Sequence, residues 1–319
     1  MTSEQVLNSI VLKKRFCKDC NLPISVFDNP YFEERIKLLN RLWNFNCVEE
    51  FDAFCYYLEG FNSEQDYLEY YNSVKDNIVT FIQNNDAFKT FVSDMDSPQY
   101  KERPQFPSRN LYVEENAGKT FISIDMKKAN FSALRYYNPD IFCGCETWMQ
   151  FMQMFTDSKH ICLSKYIRQA SMGACNPKVQ VRYEKHIMND LARIICEEYP
   201  NTSVYAVNTD EIIISVNDTD GGFEIQSFYD FIFHTKYKSI VRISQFRLEK
   251  IANTKGWNKL FLDASGMCGF AEFKCLSSDI YPQIARYELG EEPTENDLVF
   301  YHDGRLARYM EAIENPWKR

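Results

Sequence analysis

The chain has 319 residues, 45 % of them hydrophobic, with 25 Phe and 20 Tyr. That is apolar material for one large core or two ordinary ones, and it excludes a wholly disordered chain. A net charge of −9 argues against a protein that coats nucleic acid through bulk charge. There is no signal-like start and no apolar run near the ~18 residues of a membrane helix. The expectation is therefore a soluble intracellular protein, cytoplasmic or nuclear, with no membrane partner.

Residues 1–100 read mainly as helix. Phe32 to Trp43 carries apolar residues near helical spacing, and Asn62-Ser63-Glu64 reads as a cap and first turn. The pattern continues from Ser73 to Phe91 through Val74, Ile78, Phe81 and Ile82. Cys17 and Cys20 form a lone CxxC among 11 scattered cysteines. Without a second pair or a close histidine, reduced thiols are the simpler reading than zinc. Pro98, Pro104 and Pro107 then break the chain. Lys101, Arg103 and Arg109 make this arm basic, so it is either a solvated loop or a contact for a polyanion.

Further on, Leu111 to Val113, a turn at Gly118, and Phe121 to Ile124 read as a hairpin that ends in Asp125. A helix is expected from Ala129 to Tyr137, stopped by Asn138-Pro139. A Met-rich core helix follows at 147–155, then a basic helix from Leu163 to Gly173 and a long amphipathic one from Val179 to Glu198. Val204 to Val216 reads as a second hairpin with Asp210 and Glu211 at its tip. A loop from Asp218 to Gly222, a helix to His234, strands near 241–251, 257–262 and 269–275, and a tail helix within 297–310 complete the expectation. Strands and helices alternate irregularly, which favours an α+β fold over regular βαβ units. The expected organisation is a helical region with a basic arm (1–110), a core (111–252) and a small α+β extension (253–319).

Two strand-borne acids far apart in sequence, with cations between them, suit phosphate chemistry. Between His160 and Arg193, Lys165, Arg168, Lys178, Arg182, Lys185 and Arg193 outnumber Glu184 and Asp190. An ordinary charged helix face would look the same. Phosphoryl transfer needs charge neutralised at the attacking and leaving oxygens, which two divalent metals on rigid carboxylates can do. Mg2+ or Mn2+ prefers such oxygen ligands. Asp125 and Asp210 are the candidate metal ligands, and with Glu211 the candidate catalytic residues. Strand alternation puts Asp210 and Glu211 on opposite faces, and Asp210 is the preferred ligand. Without a catalytic role, Asp125 would be a helix N-cap and Asp210-Glu211 a polar turn.

The order of strand–Asp, basic helix with glycine, and acid-bearing hairpin resembles the palm-domain nucleic-acid polymerases over roughly residues 111–252. Ile124-Asp125-Met-Lys-Lys-Ala-Asn130-Phe131 is similar to their first motif. Lys165-Tyr-Ile-Arg168-Gln-Ala-Ser-Met-Gly173 resembles the K-x-x-x-N-S-x-Y-G helix of family B DNA polymerases, with Lys and Gly identical and Gln169, Ala170 and Met172 in place of Asn, Ser and Tyr. Gly173 to Pro177 compares with the G-x-x-x-S-P of reverse transcriptases, one residue short. Asn208-Thr-Asp210-Glu211 resembles the D-T-D-S of family B and the H-D-E of family A, and Leu248-Glu249-Lys250 a strand behind the palm.

The resemblance implies a palm-like antiparallel sheet backed by helices and a nucleotidyltransferase that uses Mg2+ or Mn2+. Its partners would be a nucleoside triphosphate, a nucleic-acid template or primer, and an accessory protein subunit. It further implies that Lys165, Arg168, Asn130 and Gly173 meet the nucleotide, and that Lys101, Arg103, Arg109, Lys178 and Arg182 meet nucleic acid. The residue five after the first aspartate lies near the incoming sugar in these palms, so Asn130 would hydrogen-bond a 2′-hydroxyl, or else simply cap the next helix. A non-templated nucleotidyltransferase or cyclase-like enzyme, and a catalytically inactive palm, are the alternatives.

Overall fold

The computed structural model describes residues 1–42, 46–101, 106–216, 224–263 and 266–318, so Arg103, Pro104 and the 218–222 loop lie outside the described residues. Six helices form the N-terminal layer: α1 (Ser3–Asn8), α2 (Ile10–Cys20), α3 (Tyr31–Arg41), α4 (Cys47–Leu58), α5 (Glu64–Asn84) and α6 (Asp86–Asp94). Side chains of Thr2, Ser9, Ser63 and Asn85 cap four of them by taking an amide hydrogen of the first turn. Their inward stripes supply Phe16, Phe32, Phe54, Tyr67, Tyr71 and Ile78 to the main core.

The remainder begins with β1 (Thr120–Met126) and α7 (Ala129–Tyr137). Three further helices lead to the longest: α8 (Trp148–Met152), α9 (Lys159–Leu163), α10 (Lys165–Ala174) and α11 (Pro177–Glu198). A hairpin of β2 (Ser203–Val207) and β3 (Glu211–Ser215) follows, then α12 (Ile225–His234). The strands β4 (Val241–Lys250), β5 (Trp257–Leu262) and β6 (Cys268–Lys274), α13 (Tyr281–Glu288), and a small ribbon of β7 (Val299–His302) and β8 (Arg305–Arg308) complete the chain. The first six strands form one antiparallel sheet in the order β2-β3-β1-β4-β5-β6. The fold is α+β. The sheet runs on through β5 and β6, past residue 252.

Alternation along β1 sorts its residues between two faces. Ile122, Ile124 and Met126 face the helices with Ile212 and Ile214 of β3, and join the main core with Leu134 of α7 and Ile187 and Leu191 of α11. Phe121, Ser123 and Asp125 take the other face. There Phe121, Phe246, Leu248, Ile213, Ala206, Trp257 and Leu111 make a smaller apolar cluster.

Two expected elements differ. Residues 111–113 form no strand; Leu111 instead closes the small cluster, held by Asn116 Nδ2 donating to its carbonyl at 2.8 Å. The tail is no helix but the β7–β8 hairpin, turned by Asp303 and Gly304 at φ 48° and 75°. An Asp-Gly pair supplies the two left-handed residues a tight hairpin turn needs. The proline-rich arm is not wholly solvated either. Ser108 bridges to Ala206, and Pro107 accepts the Val207 amide at 2.7 Å, so residues 107–108 edge the sheet at β2. Cys17 and Cys20 are free thiols on α2.

Candidate active site

Asp125 is no helix cap. It sits within β1, and the N-cap of α7 is Lys128, which has φ 48° and makes no side-chain cap bond. The carboxylate lies on the open face, directly opposite Glu211 on β3 and Arg242 on β4. Arg242 Nε donates to Asp125 Oδ2 at 2.8 Å. Glu211 Oε1 accepts from Ser123 Oγ at 2.5 Å and lies 3.4 Å from Lys259 Nζ. Lys259 comes from β5, so the sheet curls enough to reach β3 across β1 and β4. Burial holds the Asp125 carboxyl above its ordinary value, against the pull of Arg242, and Glu211 and Asp210 add like-charge pressure.

Of the two hairpin acids, Glu211 and not Asp210 shares the cleft with Asp125. The acid paired with Asp125 on its own face is thus the one that follows the preferred Asp210. Asp210 precedes β3, and its backbone carbonyl accepts the Met126 amide at 2.8 Å. Its carboxyl is also raised, by loss of hydration and by Glu211. Its charge reaches forward to Asp125 and back to Glu184 on α11, whose buried carboxyl is pushed up to about 7, by burial first and Asp210 second.

Across the cleft from Asp125 stands Lys165, with Glu272 of β6 also in the lining, and Arg168 and Lys128 lie close enough to add their charge. Lys165 and Arg168 lie one turn apart on α10. Burial lowers the pKa of Lys128, Lys165 and Arg168, and Arg168 adds its charge against both lysines. Lys165 Nζ donates to Asn21 Oδ1 at 3.2 Å, while Arg168 Nε is buried with no hydrogen-bond partner. Among the described residues none of these cations forms a salt bridge. A buried donor left unmade costs about 1–3 kcal/mol, and a phosphate oxygen is one group that would recover it. The cleft holds about 700 Å³ and is bounded by Asp125, Glu211, Arg242 and Lys259 on the sheet, Lys165 on α10, and Glu272 and Lys274 on β6.

α10 is fixed from behind by a buried carboxylate. Asp19 on α2 accepts from Tyr71 Oη and from Ser164 Oγ, both at 2.6 Å, and His160 Nε2 lies 3.0 Å from its other oxygen. Ser164 in turn accepts the Ile167 amide at 3.0 Å and caps α10. The helix start that carries Lys165 is thereby tied to two N-terminal helices.

The other expected residues are less central. Asn130 is the second residue of α7 and takes the Phe131 amide on its own Oδ1 at 3.0 Å, so it serves the first turn without being its cap. Nothing lies within 4 Å of where a Cβ on Gly173 would stand, so no close approach demands glycine there. Lys101 and Arg182 share Asp96 at 3.6 and 3.7 Å. The Arg109 guanidinium stands 5.7 Å over the Tyr205 ring, and Lys178 is exposed in the first turn of α11. None of these four lines the cleft.

Lys128, Arg242 and Lys259 are not among the residues expected from the sequence. Lys128 stood in the basic segment just after Asp125. Arg242 and Lys259 fall in phase with the open-face residues of strands that were themselves recognised, a signal that alternation makes available.

A hard divalent cation fits this donor set. The oxygens are all carboxylate, on β1 and at the start of β3, and burial first, with like-charge repulsion after it, raises Asp125 and Asp210. Among the described residues no group of three or more His, Cys, Asp or Glu side chains is gathered to hold a metal. Magnesium commonly takes only one or two carboxylates, with water and substrate phosphate completing its shell. No family model, no curated protein and no solved structure matches this chain.

Proposed function

We propose that the chain is a template-dependent nucleic-acid polymerase, transferring a nucleotidyl group from an NTP or dNTP at the cleft between the open sheet face and α10. The observation that carries the reading is that Asp125 and Glu211, with Asp210 beside them, share one cleft with Lys165, whose neighbour Arg168 adds its charge to Lys165 and Lys128, none of the three cations being salt-bridged among the described residues. Lys165, Arg168 and Lys128 bind and orient the triphosphate, which satisfies the buried Arg168 Nε. Asp125, with Asp210 or Glu211, is the place for Mg2+ or Mn2+. When bound, the cation would neutralise charge developing on the reacting phosphate. Asn130, half-buried just beyond Asp125, is the residue proposed to meet the sugar. Template and primer are the proposed partners, with an accessory protein subunit.

The test is primer extension by the full chain with Mg2+ or Mn2+. Incorporation that vanishes in Asp125→Ala and Asp210→Ala but persists in Lys101→Ala supports the site. Incorporation that survives Asp125→Ala sinks it. Omitting template separates the polymerase from a non-templated nucleotidyltransferase or cyclase-like enzyme. One observation favours a different reading, an inactive palm used for partner binding: Arg242 and Lys259 already neutralise Asp125 and Glu211. Isothermal titration with Mn2+ separates the two, since an inactive palm would take up no metal at Asp125.

A further inference from the structure

We propose that a groove along the outer side of α2, running from Lys14 and Lys18 to the mouth of the cleft, holds single-stranded nucleic acid. The inference rests on the polymerase reading of the cleft and adds the path of the strand.

The groove, about 740 Å³, is lined by Lys14, Lys18, Asn21, Pro23, Tyr166 and Gln169, among others. Asn21 and Pro23 also line the cleft that contains Asp125. The two spaces therefore adjoin where α2 ends, at the left-handed cap residue Asn21, the same residue whose Oδ1 holds Lys165. A strand leaving the groove enters the cleft beside the cations of α10.

The charge pattern suits a polyanion. Lys14 and Lys18 stand four residues apart on one exposed helix face. Like charges at that spacing repel, and no acid in the groove lining relieves them. α2 has one carboxylate, Asp19, and it is buried against Tyr71, Ser164 and His160. No acid lines the groove, and among the described residues neither lysine forms an ion pair. The arm at 101–109 and the start of α11 differ, because Lys101 and Arg182 already share Asp96.

The aromatic pattern favours a single strand. The half-buried Tyr166 ring carries the Arg15 guanidinium at 4.6 Å and the Lys18 ammonium at 5.7 Å, while Lys14 stands 5.6 Å over the ring of Phe27, which is buried in the core. An accessible ring set among cations along a groove binds phosphate and an unpaired base together, and Tyr166 is that ring here. A duplex, whose bases stack on each other, leaves such a ring unused. An acidic peptide would use the charge but not the ring.

The experiment is fluorescence anisotropy of the full-length protein with a labelled single-stranded oligonucleotide across a salt series. The Lys14→Ala, Lys18→Ala double variant replaces two exposed helical residues with the best helix former, so the fold is retained. Each phosphate contact releases about 0.7 counterion from a single strand, so at about 0.1 M salt the pair is worth about 25-fold in affinity and about 1.4 in the salt slope. Tyr166→Ala should weaken binding by about fivefold or more. Lys101→Ala and Arg182→Ala should bind like the parent chain. Unchanged binding by the double variant overturns the inference, as does displacement of the oligonucleotide by polyglutamate as readily as by unlabelled strand. Incorporation activity with unchanged binding in the double variant leaves the polymerase standing without this path. Strand binding through Lys14 and Lys18 in a chain that incorporates nothing removes the polymerase and keeps the strand site.

Discussion

The two faces of the sheet are built from alternate residues of the same strands, yet they differ in kind. On the helix-covered face, Ile122, Ile124, Met126, Ile212 and Ile214 are all buried in one continuous core. On the open face, Ser123, Asp125, Glu211, Arg242 and Lys259 hold each other by hydrogen bonds and ion pairs beside a small apolar cluster. One face supplies rigidity and the other borrows it. A carboxylate on a strand whose next residues are locked in a core keeps its position at little further entropic cost, which suits groups that must meet a phosphate. Glu184 crosses the division: it is an acid buried on the core side, close enough to feel Asp210.

The sharpest way to break the comparison is to neutralise the open face alone. Asp125→Asn should lower metal-dependent incorporation by about 10³-fold, because several kcal/mol of charge stabilisation depend on that carboxylate. Its midpoint of denaturation should scarcely move, since a buried charge is removed together with its burial cost. A large loss of stability with retained activity would reverse the roles assigned to the faces. Ile124→Ala, its neighbour on the opposite face, should do the converse. Truncating a fully buried Ile costs about 2–5 kcal/mol, seen as a lower urea midpoint, while KM for nucleotide stays unchanged below the transition.

Much of this division was legible beforehand. The runs Phe121 to Ile124, Val204 to Val216 and Val241 to Ile251 alternate or cluster as strands should, and the helices carry their 3.6-residue stripe. Asp125 stood out because an acid ending an apolar strand is uncommon. What stayed hidden depends on pairing. The opposition of Asp125 to Glu211 follows from the β1–β3 register, which only the assembled sheet defines. The contact from Lys259 to Glu211 depends on sheet curl. The Asp19–His160–Ser164 network joins residues some 140 positions apart, and no local pattern announces it. The tail was misread for a different reason: Asp303-Gly304 is a legible turn signal, but short strands with Tyr301, His302 and Arg305 also tolerate a helical reading.

Glu184 tests whether the core face carries chemistry of its own. Its carboxyl ordinarily titrates near 4.5 and stands at about 7 in the fold. The folded state therefore holds the proton more tightly than the unfolded one. The resulting stability is fully present below about pH 4.5 and is lost as pH rises through about 7. The span is worth up to about 3 kcal/mol. Glu184→Gln should flatten that slope and be more stable than the parent chain above pH 7, read by urea denaturation at several pH values. An unchanged slope would mean that Glu184 ionises freely and is hydrated in the fold.

The smallest effect expected belongs to the cations of α10. If Arg168 binds the nucleotide as proposed, Arg168→Ala should raise KM for nucleotide by about tenfold, about 1.4 kcal/mol, with kcat little changed. Arg168→Lys should recover part of the charge but not the planar donor set that leaves Nε facing inward. Because Arg168 also depresses the pKa of Lys128 and Lys165, its removal should let both lysines hold their protons to higher pH. The alkaline limb of the KM profile should then move upward, the opposite of what loss of a merely structural arginine would do. If KM stays fixed while the protein loses stability, Arg168 is a packing residue, and the cations facing Asp125 reduce to Lys128 and Lys165.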